Sequence, residues 1–135
     1  MQITRQTEYA IRTLLELARA PEGEVLSTKF ISTRQDIPED FLKKTLKLMV
    51  LADLVTTQRG AHGGIRLIKP ADEITLLDVI TAIEGPIALN VCLVPGYKCP
   101  NQPDCAVSAA LARAQKALTA ELAKVTLVDL VTKAK

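Results

Sequence analysis

At 135 residues and 48% apolar content, the chain has room for one compact domain plus an appended helix, and enough apolar side chains for a core. Aromatic residues make up only 3% and Trp is absent, so that core must be Leu, Ile, Val and Ala, while a formal charge of +2 argues neither for nor against a nucleic-acid partner. The opening residues, Met1 to Arg5, form no apolar signal region, and no uninterrupted apolar run approaches about 18 residues, so the expectation is a cytoplasmic protein with no membrane partner.

The elements are read in chain order. Thr4 to Ala20 has helical periodicity, with Ile3, Ala10, Ile11, Leu14, Leu15, Leu17 and Ala18 on one face. Thr4 is placed to cap its start, and Pro21 to Glu24 stop it. Ser27 or Thr28 caps a second short helix, Lys29 to Gln35, followed by a turn at Asp36, Ile37 and Pro38. A third helix spans Glu39 to Leu51, with Phe41, Leu42, Leu46, Met49 and Val50 as its apolar side. Pro38 suits its first turn, and Glu39 and Asp40 suit the positive end of its dipole. The period then changes: Leu54 to Arg59 and Ile65 to Lys69 read as two strands around a turn at Gly60 to Gly64. Ile74 to Glu84 is a fourth helix, ended by Gly85 and Pro86. From Ala106, Val107, Leu111, Ala114, Leu118, Leu122 and Val125 recur at spacings of three and four, a seam for a second copy of the same helix. Thr126 to Lys133 reads as a short closing helix.

Three helices followed by a two-stranded hairpin is the order of a winged helix-turn-helix. The fold class is therefore mostly α with a small β-hairpin, plus a long C-terminal dimerisation helix. Residues 1–85 are assigned to the DNA-binding domain, 86–105 to a cysteine-containing loop, and 106–135 to the dimerisation and closing helices.

Local charge says more than net charge. Between Phe41 and Pro70 lie six basic residues (Lys43, Lys44, Lys47, Arg59, Arg66 and Lys69) and one acidic residue, Asp53. Lys43 and Lys47 are one turn apart on the third helix, with Lys44 beside them. A basic stripe of this kind can enter a major groove, and hairpin arginines can reach phosphates or the minor groove. A solvated lysine face is the bland reading of the stripe alone; the element order favours DNA.

Every cysteine lies in the turn-rich stretch Cys92 to Cys105, with six residues and then five between Cys92, Cys99 and Cys105. Three cysteines are an odd number for a disulfide framework, and clustered cysteines in a reducing cytosol more often bind metal or do redox chemistry. The spacing is not the close Cys-x-x-Cys pairing of most structural zinc sites. Thiolates in a loop rich in backbone N–H groups suit an iron–sulfur cluster. Zinc binding or thiol oxidation remains an alternative at the same residues. A thiol enzyme is disfavoured, because there is no Cys-x-x-Cys, no βαβ pattern and no histidine or paired acid near the cysteines. A winged helix used as a protein adaptor is disfavoured by the basic stripe.

Several stretches together resemble the IscR/NsrR/RirA class of bacterial winged-helix repressors. Thr4 to Ala10 is similar to the family's opening, Gln58 to Leu67 to its wing, Ile74 to Gly85 to the helix after the wing, and Thr126 to Leu130 to its C-terminal segment. The resemblance implies a homodimer paired through the long helix and bound to a palindromic double-stranded operator. It puts Lys43, Lys44 and Lys47 in the major groove, and Arg59 with Gly60, Gly63 and Gly64 against DNA; Arg66 of the hairpin is a further candidate DNA contact, and His62 in the wing belongs either to DNA contact or to solvent. It also implies a two-iron or four-iron cluster on Cys92, Cys99 and Cys105. IscR takes its fourth ligand from a histidine where this chain has Ser108, so the pattern departs there. In some relatives a carboxylate from the partner's first helix serves, at the position of Glu8, which makes Glu8 the candidate fourth ligand; a surface Glu paired with Arg5 or Arg12 is its bland reading, and aspartate oxygens or a small molecule remain alternatives as ligand. Asp36 and Asp53 stand where relatives often have Gly; Asp tolerates the left-handed conformation at modest cost. Lys43 replaces an acidic base-discriminating residue of IscR, so that operator is not carried over.

Overall fold

The computed structural model describes residues 2–98 and 105–133. The first helix, α1 (Arg5–Arg19), starts where Thr4 accepts a 3.2 Å hydrogen bond from the Thr7 N–H. It buries Ala10, Leu14 and Leu17, and also Thr7, Thr13 and Glu16. Ile3 precedes the helix and is exposed rather than part of its apolar face. Helix α2 (Thr28–Gln35) is capped by Ser27, not Thr28: the Ser27 hydroxyl accepts from the Phe30 N–H at 3.0 Å. Asp36 closes it in the left-handed region, φ 53°, and Ile37 inside that turn is buried.

Helix α3 (Glu39–Leu51) has the expected bounds, with Pro38 standing one position before it as the cap. Leu42, Thr45, Leu46 and Met49 are buried; Val50 faces solvent. Asp53, at φ 58°, reverses the chain into the hairpin. Strands β1 (Val55–Gln58) and β2 (Gly64–Leu67) are antiparallel, with Val55 opposite Leu67 and Gln58 opposite Gly64. Both are shorter than the alternating sequence suggests. Leu26, before α2, adds a bridge to the outer edge of β2 through Leu26 N–H to Ile65 O (2.9 Å) and Ile65 N–H to Leu26 O (2.8 Å). The wing is thereby pinned to the start of the helix-turn-helix.

After a 3₁₀ turn at Ala71–Glu73, helix α4 (Leu76–Glu84) begins two residues later than the periodicity suggests. A capping box sets that start: Thr75 Oγ1 accepts from Asp78 N–H (3.1 Å), and Asp78 Oδ2 from Thr75 N–H (2.9 Å). A second 3₁₀ turn covers Val91–Leu93, and helix α5 spans Ala106–Ala123. No helix among the described residues is long and apolar enough to cross a membrane.

The closing helix α6 (Leu127–Lys133) returns to the first unit, although its sequence neighbours α5. Leu127 is fully buried in the core with Leu14, Leu42, Met49, Ile65, Ile74 and Val79. Leu76 N–H donates to Val125 O (2.7 Å) and Leu127 N–H to Ile74 O (3.0 Å), so the chain pairs with itself across the start of α4. Each such fully buried Leu or Ile contributes about 1.5–3 kcal/mol relative to exposure. By contrast, no residue of α5 is buried in the single chain.

Candidate functional site

Lys43, Lys44 and Lys47 all face solvent on α3. Arg59, Gly60 and His62 are exposed in the loop joining β1 to β2, and Arg66 is exposed on β2 opposite Thr56. None of these basic side chains makes an ion pair among the described residues. α3 lies against β1, the first strand of the hairpin that carries Arg59 and Arg66. The wing glycines differ in their reasons. A Cβ on Gly63 would lie 2.3 Å from Gln58 O, and one on Gly64 would lie 2.1 Å from Leu26 O. Gly60 meets nothing within 4 Å, but its φ of +113° disfavours a side chain.

Of the predicted thiol ligands, Cys92 sits in the 3₁₀ turn after α4 and Cys105 is the N-cap residue of α5, both half-buried. Cys99 lies outside the described residues. Cys92 Sγ accepts from Asn90 Nδ2 at 3.6 Å, and Cys105 Sγ from the Ser108 N–H at 3.4 Å. Ser108 thus meets the sulfur through its backbone. Gln115 of α5 reaches back to the loop, its Oε1 accepting from Leu89 N–H at 2.9 Å. Among the described residues, no three His, Cys, Asp or Glu side chains converge on a metal position.

Glu8 is exposed on α1, 3.7 Å from the Arg12 guanidinium one turn on. Within the chain it belongs to an ordinary intrahelical pair.

Sequence periodicity missed a polar network between α1 and the end of α2. Arg12 Nε donates to Gln35 Oε1 at 3.1 Å, and its terminal nitrogen donates to the Gln35 carbonyl. Gln35 Nε2 donates to Glu16 Oε1, which also lies 3.5 Å from Arg19 and 3.6 Å from Arg34. Arg12 further stacks over Tyr9, 5.4 Å from the ring centre, and Tyr9 meets Phe41 of α3 edge-on at 5.2 Å. The signal that could have found it is a set of polar residues, Arg12, Glu16 and Gln35, whose partner elements only the fold brings together.

Glu84, the last residue of α4, accepts from Thr4 N–H (3.1 Å), Thr4 Oγ1 (3.3 Å) and Thr7 Oγ1. Burial pushes its carboxyl up, but the hydrogen bonds from Thr7 and Thr4 outweigh this and hold it below the ordinary glutamate range. The residue that opens onto the cysteine loop is thus tied to the N-terminus of α1.

Comparison with known proteins accords with this arrangement. The family model described as Rrf2, iron-dependent transcriptional regulator, matches residues 3–133. Protein aau3 of Rhizobium meliloti (strain 1021) is 41% identical over 133 residues, covering 97% of this chain and 85% of that protein. Among solved structures, CymR, the global cysteine regulator of B. subtilis, superposes with a TM-score of 0.81 at 28% identity, covering 98% of this chain and 97% of that one. The oxidized form of Staphylococcus aureus CymR superposes at 0.76 with 25% identity, covering 97% and 96%. With the family's model spanning nearly its whole length, this chain belongs to the Rrf2 family and is a DNA-binding transcriptional regulator rather than an enzyme.

Proposed function

We propose that this regulator is a repressor that binds a palindromic operator as a homodimer, and that an iron–sulfur cluster held by its cysteines controls that affinity. Lys43, Lys44 and Lys47 would lie in the major groove, with Arg59, Gly60, His62, Gly63, Gly64 and Arg66 at the flanking backbone or minor groove. Phosphate contacts would supply much of the affinity and make it salt-dependent. The observation that carries the sensing part is the placing of Cys92 and Cys105. Cys92 lies within the connection between α4 and α5 and Cys105 at its end, where it caps α5, and each sulfur accepts from an N–H donor. Such donors tune cluster potentials, and the thiolate set suits iron–sulfur ligation.

Cys92, Cys99 and Cys105 would hold the cluster, with Glu8 of the partner subunit as fourth ligand. The cluster would supply a centre of two or four irons that reacts with oxidants or nitric oxide and depends on iron supply. Engaging Glu8 withdraws it from Arg12, the residue that also holds Gln35 at the helix-turn-helix. Homodimerisation is supported by α5, an eighteen-residue helix with an apolar stripe and nothing buried in the single chain.

Anaerobic purification tests the proposal. The protein should be coloured and contain iron, and removing the iron should shift its affinity for operator DNA. A colourless, iron-free preparation would sink the cluster. Arg59→Ala should weaken operator binding at fixed salt and leave the visible spectrum unchanged; equal affinity in both proteins removes the wing contact.

A second reading keeps the DNA role and replaces the cluster by zinc binding or thiol oxidation at the same cysteines. Likeness to a CymR solved in an oxidized form favours it. Metal analysis and the mass of the oxidised protein separate the two.

A further inference from the structure

Among the described residues Glu16 is the one buried charged side chain, 6% exposed. A carboxylate removed from water is costly unless charge and hydrogen bonds compensate it. Here the compensation comes from Gln35, the last residue of α2, with Arg19 and Arg34 on the solvent side. Gln35 is gripped at both ends. Arg12 can only donate, so it takes the amide oxygen and the backbone carbonyl, which leaves the amide nitrogen for Glu16.

Only Asp36, Ile37 and Pro38 separate Gln35 from α3. They are not slack: Asp36 and Ile37 N–H both donate to Ser32 O, and Ser32 Oγ donates to Ile37 O. Whatever orients Gln35 therefore orients the start of α3. The packing of Ile37 and Leu42 resists separation of the helices but is non-directional. The hydrogen bonds of Gln35 are directional.

We propose that Arg12 and Glu16, holding Gln35 from its two ends, set the pose of α3 and are positioning residues for operator selectivity. They touch no DNA. Phosphate contacts from long, mobile lysines tolerate a shifted helix, whereas base-edge contacts do not. The grip therefore acts on the ratio of operator to non-specific affinity. This rests on α3 being the reading helix.

The test uses the full chain and a duplex that the wild-type protein enriches from a random-sequence pool, beside a scrambled duplex of equal composition at the same salt. Gln35→Glu sets a carboxylate against Glu16. It should lower affinity for the enriched duplex about tenfold, the scale of one charged hydrogen bond, and leave the scrambled one unchanged. Adding Glu16→Gln restores a donor between the two side chains and should recover the ratio to within about threefold. Should Gln35→Glu fail to fold by circular dichroism, Arg12→Lys serves at a half-exposed site. It keeps the charge but cannot hold both oxygens of Gln35, and it should lower the ratio likewise. An unchanged ratio in Gln35→Glu or Arg12→Lys overturns the proposal, as does a loss that the double substitution fails to restore. A wild-type protein that enriches no sequence would instead remove the reading role of α3 beneath it.

Discussion

Gly64 shows how a single residue joins two parts of the fold. Its missing side chain lets the backbone of Leu26 approach β2 and form the bridge to Ile65. Gly64→Ala should push these segments apart and cost about 1–3 kcal/mol, the range of an overpacked site. Urea unfolding of wild type and variant checks this, and equal stability would mean that the bridge is not needed. Glu84 makes a pH-dependent prediction. Its folded pKa is depressed, so its contribution is present above the unfolded glutamate value and is lost as pH falls through the folded one. Glu84→Gln should therefore lower the Tm at neutral pH and match the wild type in acid below the glutamate range. A gap that persists unchanged into acid would contradict the assignment.

At the scale of elements, what was legible in the sequence depended on the range of the signal. The bounds of α3 were readable because Pro38, Asp53 and the apolar spacing are all local to it. The wing was readable from its alternation and glycines, but not the bridge from Leu26, which rests on residues far off in sequence. Likewise the burial of Glu16 and the anchoring of Gln35 depend on α1 meeting the end of α2. The six-and-five cysteine spacing marked a candidate ligand loop, whereas the backbone donation of Ser108 to Cys105 needed the helix start to be placed. α6 is the sharpest case: its apolar pattern announced a helix but not its target. Leu127→Ala should cost about 2–5 kcal/mol, the range for a large side chain removed from a core. Denaturant unfolding that leaves the midpoint unmoved would detach α6 from the core.

The whole molecule combines a closed core with α5, a helix that meets α4 but has no fully buried residue in the single chain. Leu118→Asp, on the α5 stripe, tests the proposed homodimer: the variant should sediment as a monomer where the wild type sediments as a dimer, and its operator affinity should fall by at least about a hundredfold, since two half-sites then no longer bind together. A variant that remains dimeric would place the interface elsewhere. The return of α6 to the core also fixes an order of events during synthesis. The cysteine loop and α5 precede Leu127 in the chain, and the core cannot close around Ile74 until Leu127 has emerged. At roughly 5–20 residues per second, the ribosome takes about 1–4 s to travel from Cys105 to Leu127. For that interval the thiols are already made while the DNA-reading unit is still open. A nascent chain therefore carries its cysteines before its winged core is complete, and truncation ahead of α6 yields a chain that has the cysteines but lacks the Leu127 that closes that core.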